Sequence, residues 1–240
     1  MYTNQSKYDI IGIAKIKNKG REVMKKLIAV LCVMSSMLLW ADVAVRKYKS
    51  VAEVSQEVSV REIKAEQMPP SEGVYPCAFS IVPALEWPSQ GCDVYLLRFN
   101  LLVGRHRTVK GFDFGVLGNR VSGESAGLQL AGVWNDCGAS VGSLGVAAVA
   151  NYAAYGWDGV QVSCVNWTEG EMNGIQFGAV NMAGRDLGLQ IGLCNLSGKS
   201  IGVQLGAINV SEALSGLQVG IINVNIASTV PVLPFVNMGF

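Results

Sequence analysis

The strongest constraint on the fold is a short repeat that fills the chain from Gly111 to Phe240. Its eight copies are GFDFGVLGN, GLQLAGVWN, SLGVAAVAN, GVQVSCVN, GIQFGAVN, GLQIGLCN, GVQLGAIN and GLQVGIIN. They start at Gly111, Gly127, Ser143, Gly159, Gly174, Gly188, Gly202 and Gly216, so the period runs 16, 16, 16, 15, 14, 14 and 14 residues. A period this short excludes helical-pair repeats and predicts one small β unit per copy, stacked on its neighbours.

Within a copy, the second residue (Phe112, Leu128, Leu144, Val160, Ile175, Leu189, Val203, Leu217) and the fourth (Phe114, Leu130, Val146, Val162, Phe177, Ile191, Leu205, Val219) are apolar. Residues two apart share a face of a strand, so these pairs are expected to face a core. The Gln between them (Gln129, Gln161, Gln176, Gln190, Gln204, Gln218) is then expected to face solvent. Past the fifth position the parity changes: Val180 and Met182, Cys194 and Leu196, Ile208 and Val210, and Ile222 and Val224 stand at odd positions. A parity change in every copy predicts a corner or bulge. The Asn of every copy (Asn119, Asn135, Asn151, Asn166, Asn181, Asn195, Asn209, Asn223) suits that corner, because an amide both donates and accepts and can bond to its counterpart in the next copy. The first Gly suits a tight turn, and the Gly at the fifth position a bend with close backbone approach.

Two architectures fit this pattern. In a β-solenoid each copy is one coil of 14–16 residues, with two short strands and two turns. In an antiparallel meander, or an outer-membrane-type barrel, each copy is a strand plus a turn. Barrel turns alternate between two rims, whereas the period here drifts in one direction, which favours the solenoid. The barrel draws support from the closing segment VLPFVNMGF, where Val236, Met238 and Phe240 alternate as in a terminal barrel strand. In a solenoid the same segment is a cap over the last coil. Parallel pairing of Leu189 with Val203 distinguishes the two. Upstream, LRFNLLVGR parallels FDFGVLGNR and reads as a degenerate ninth copy, which places the β-repeat domain at residues 74–240.

The amino terminus carries a different signal. Met24 to Ala41 (MKKLIAVLCVMSSMLLWA) has the charged, apolar and small-residue order of a secretory signal peptide, and its apolar stretch is short for a membrane span. Residues 1–23 read as an upstream extension, with translation expected to start at Met24; residues 42–73 read as a polar tether. Residues 1–41 hold seven Lys/Arg, whereas the repeats from Gly111 hold three basic and eight acidic residues, which gives no footing for nucleic acid.

Export permits disulfides, and Cys77 and Cys92 flank a turn-like PALEWPSQG segment, so a local bridge between them is expected. Cys164 and Cys194 replace apolar residues of sister copies and are expected to be small buried side chains. No Cys/His cluster has metal spacing, and no metal or other cofactor is expected. Gly123-Glu124-Ser125-Ala126-Gly127 matches the G-x-S-x-G of esterases, but His106 lies upstream of Ser125 and β repeats continue on both sides, so no catalytic residue is assigned. His106 itself, in Arg105-His106-Arg107, is expected in a solvated turn. The sequons at Asn166, Asn195 and Asn209 follow from a repeating Asn before a turn.

The tandem G-L-Q-[IL]-G-x-x-N copies, the leading segment YLLRFNLLVGRHRTVKGFDFGVLGNRVSG and the ending PVLPFVNMGF resemble a group of secreted bacterial surface-repeat proteins. The resemblance covers Tyr95 to Phe240; Asp113 and Gly145 depart from it in place of Gln, and Ser143 in place of Gly. It implies location and shape, and no activity. The expectation is an exported, non-enzymatic repeat protein with a structural or interaction role and an envelope or surface partner. Its place would be the cell surface, the outer membrane or the periplasm. An outer-membrane β-barrel acting as a pore or surface protein is the alternative.

Overall fold

In a computed structural model of the chain, residues 70–240 are described. The expected signal peptide and most of the tether lie outside them. The strands are β1 (Val74–Val82), β2 (Leu85–Trp87), β3 (Asp93–Asn100), β4 (Val103–His106), β5 (Thr108–Gly115), β6 (Gly118–Ala131) and β7 (Trp134–Ala147). They continue as β8 (Ala150–Val162), β9 (Val165–Phe177), β10 (Val180–Asp186), β11 (Leu189–Ser200), β12 (Val203–Leu214), β13 (Leu217–Asn225) and β14 (Val232–Met238).

Successive copies pair in parallel and in register. Leu189 lies opposite Val203, Gln190 opposite Gln204 and Asn195 opposite Asn209, and the next coil repeats the pattern with Leu217, Gln218 and Asn223. The strand order runs from β14 to β2 without closing on itself. The chain is therefore a β-solenoid, and the meander and barrel alternatives are overturned. The degenerate copy takes its expected place, with Leu97 opposite Phe112 and Phe99 opposite Phe114. A further coil that the sequence pattern did not reveal precedes it, where Phe79 pairs with Phe99 and Ser80 with Asn100.

Both ends of the stack finish in antiparallel strands. The three-residue β2 turns back on β1, and β14 runs back along β13. β14 is the cap expected of the closing segment, and Pro234 within it has no backbone donor to offer a further strand.

The corners fall where pairing lapses. In the 14-residue copies, counting Gly188 as position one, the ladder between β11 and β12 skips position six (Leu193 and Ala207) and resumes at Cys194 and Ile208. The first Gly is required by close packing: a Cβ on Gly188 would overlap the carbonyl of Gly174 in the preceding coil. Gly174 also has φ +134°, a conformation that side chains rarely adopt. Where Ser143 replaces this Gly, its hydroxyl donates to the Ser125 carbonyl at 3.2 Å.

The direction of the side chains reverses the expectation. Gln129, Gln161, Gln176, Gln190, Gln204 and Gln218 are buried, as are all eight Asn of the copies, and the apolar second and fourth residues point outward. The physical reason lies in the corner carbonyls. Each Asn from Asn119 to Asn209 donates to the position-four carbonyl of the following coil (Asn181 to Ile191 O at 2.8 Å, Asn195 to Leu205 O at 2.9 Å), and Gln218 donates to Val224 O at 3.1 Å. A backbone acceptor turned into a closed interior needs a donor, and a Leu or Val there supplies none.

Candidate functional surface

The interior holds two amide columns of opposite polarity. From Asn119 to Asn209, each Asn donates its Nδ2 forward to the Oδ1 of the next Asn, at 2.8–3.0 Å. From Gln176 to Gln218, each Gln donates its Nε2 backward to the preceding Oε1, at 2.7–2.8 Å. The opposed directions let the two rows of amide dipoles offset one another. Asn237 of β14 closes the Gln column by donating to Gln218 Oε1 at 3.1 Å. At the other end, Asn100 donates to Asn119 at 2.6 Å and occupies the space left by Gly104.

The two departures from Gln have structural roles. At Gly145 the Gln column is interrupted, and the buried Trp157 indole fills the place a side chain would take. Asp113 receives a two-pronged ion pair from Arg98, at 2.7 and 2.6 Å, with both side chains buried. The Arg98 Nη1 also donates to Arg120 O at 3.0 Å and lies 3.4 Å from His106 Nδ1.

His106 is thus buried, not in the solvated turn expected of it. Arginine can only donate, so Nδ1 is the acceptor and Nε2–H donates to Pro88 O at 3.1 Å. Burial first, and the Arg98 charge second, push its pKa down to about 4, so the ring is neutral. The alignment of the degenerate copy sets Arg98 opposite Asp113, but His106 lies beyond the aligned segment, where the repeat gives it no column.

Ser125 lies inside strand β6, fully buried, and its Oγ has no hydrogen-bond partner. It is not set on a strand-turn-helix elbow, and no hydrogen bond joins it to His106. The expected bridge is not formed: Cys77 is exposed, Cys92 is buried, and both are free thiols. The Cys92 sulfur instead lies 3.3 Å from Ser89 Oγ. Cys164 is exposed and Cys194 half-buried, because their columns face outward, against the buried placement expected of both. No group of three His, Cys, Asp or Glu that could hold a metal occurs among the described residues.

The outer surface is the feature that a binding role can use. One strip consists of the second and fourth residues and includes Phe112, Leu144, Ile175, Phe177 and Val219, all exposed. Across the corner, Val165 and Trp167, Val180 and Met182, Cys194 and Leu196, and Ile222 and Val224 form a second, half-buried strip. The corner between them carries Val149, Cys164, Leu193 and Ile221, the last two each 68 % exposed. From Gly159 onward the charged residues are Glu169, Glu171, Arg185, Asp186, Lys199 and Glu212, all at positions eleven to thirteen, away from both strips. Among the described residues, no helix is long and apolar enough to cross a membrane. Scanned against protein-family models, curated proteins and solved structures, the chain matches none of them.

Proposed function

We propose that the chain is an exported, non-enzymatic repeat protein of the bacterial envelope that acts through its outer surface. One observation carries this reading. The interior is closed by the amide columns and a buried apolar row that includes Val109, Val121, Trp157 and Met172, whereas the exterior presents contiguous apolar strips of the kind that mark an interaction site. Export rests on the Met24–Ala41 segment, and the likeness to secreted surface-repeat proteins supports it. Ser125 has no role in this reading, because its hydroxyl is sealed in the stack.

The test is amino-terminal sequencing and fractionation of the chain from its bacterial host. The expected result is an envelope-associated or surface-exposed protein that starts near Asp42. A cytoplasmic chain that retains residues 24–41 overturns export, and turnover of any ester that disappears in Ser125→Ala overturns the non-enzymatic role.

A further inference from the structure

We propose that the two apolar strips and the corner joining them form a lipid-docking wedge, which seats in the boundary between headgroups and acyl chains of a bilayer leaflet. This deepens the surface role above and rests on it.

The choice of lipid over a second protein copy follows from shape and area. Coils stack about 4.8 Å apart, so eight copies give the first strip a length of roughly 38 Å. The second is shorter, because the salt-bridged Arg120 and Asp136 occupy its column in the first two coils. With a width of roughly 10 Å for two side-chain columns, one strip offers on the order of 400 Å², about half of what each partner buries in a stable dimer. A flat partner that covers one strip leaves the other exposed, because the chain turns a corner at position six. A fluid acyl phase covers both sides at once.

Charge placement agrees. From Gly159 onward, positions one to nine of each copy, which contain the strips and corner, carry no charged residue. Of the charges at positions eleven to thirteen, Asp186 is buried and the others lie at the surface, where they would remain in water. Those charges are four acidic and two basic, so attraction to anionic headgroups does not drive docking. Zwitterionic lipid is therefore sufficient, and binding should persist in high salt.

The experiment uses the full chain with phosphatidylcholine vesicles. A nitroxide is placed on Cys164 at the corner, in a chain carrying Cys32→Ser, Cys77→Ser and Cys194→Ala. A second label is placed through Lys199→Cys, in a chain that also carries Cys164→Ser. On vesicles, the Cys164 label should become accessible to oxygen and shielded from a water-soluble nickel chelate, while the label at position 199 stays accessible to nickel. Leu193→Gln with Ile221→Gln should reduce the immersed fraction of the Cys164 label about 30-fold or more, given the transfer energy of two such side chains.

If attachment comes only from residues 27–39, both labels stay in water and the wedge is overturned. Spin–spin broadening at Cys164 that appears without vesicles means that a second copy covers the corner, which also overturns it. An exported chain whose Cys164 label stays in water sinks the wedge alone. A cytoplasmic chain whose label enters lipid sinks export and leaves the wedge standing.

Discussion

Replacing Gln190 by Leu removes one link from the backward-donating amide column while keeping much of its volume. Gln190 donates to Gln176 Oε1 and accepts from Gln204 Nε2, each at 2.7 Å. Gln204 retains a partner, since its Nε2 also reaches Ser197 Oγ at 3.1 Å. Gln176 Oε1 is left buried without a donor. One orphaned acceptor costs about 1–3 kcal/mol and one partly replaced bond about 0.5–1.5 kcal/mol, so the substitution should destabilise by roughly 2–4 kcal/mol. Gln176→Leu should cost a similar amount, because it leaves Gln190 Nε2 and the Met182 carbonyl without the bond between them and Gln176. The double variant removes both ends of the shared bond, and with them the orphaned acceptor. Its cost should fall short of the sum by about 1–3 kcal/mol. Urea unfolding of the four proteins, followed by amide exchange in β9 and β11, measures the cycle. If the two costs add to within about 0.5 kcal/mol, the column is not a coupled bonding unit and the reasoning fails.

Other outcomes follow from the same structure. Asp186 is fully buried, and burial raises its pKa to about 6, against hydrogen bonds from Gly188 N and Ser200 Oγ that lower it. A carboxyl whose folded pKa is raised favours the fold below its unfolded value, and that contribution is lost as pH rises through about 6. Unfolding at pH 8 should therefore show Asp186→Asn more stable than the parent by about 3 kcal/mol, with the two nearly equal at pH 4; equal gains at both pH values would contradict this. Arg98→Met leaves Asp113 as a buried unpaired charge and should cost about 3–5 kcal/mol in thermal unfolding. Adding Asp113→Gln should restore most of that loss, since Gln is the residue of the sister copies and Gln129 lies beside it. Gly188→Ala forces a Cβ against the Gly174 carbonyl and should lower the melting temperature, whereas Ala207→Ser, at an outward corner position, should leave it within experimental error.

Much of the architecture was legible in the sequence because a repeat with one residue kept in every copy already fixes a register. Asn119 through Asn223 had to stack if each copy was a coil, and the amide can bond to itself at that spacing. The parity change after position five likewise required a corner, and one appears between Ile191 and Cys194. Burial was misread where it was inferred from hydropathy alone. Gln190, His106 and Cys164 stand opposite to what their side-chain polarity suggested, and Cys194 is only half-buried. The spacing of Cys77 and Cys92 suggests a bridge, yet parallel stacking puts Cys77 opposite Leu97, exposed at the surface. The Arg98–Asp113 pair had a signal in the alignment of LRFNLLVGR with FDFGVLGNR, which sets the two opposite charges in one column; His106 had none, because it lies beyond the part of the degenerate copy that aligns.

Period, coil length and the columns of like residues are properties of the sequence by itself, since any stack of 14-residue units brings Leu189 to Val203 and Asn195 to Asn209. Which side of each strand faces inward is not. An alternation of Leu and Gln reads the same from either face, and hydropathy favours the wrong one. Only closing the coil turns backbone carbonyls such as Leu205 O and Val224 O into a dry interior. There the demand for donors outweighs the gain from burying aliphatic side chains, and the amides go in while the apolar residues go out.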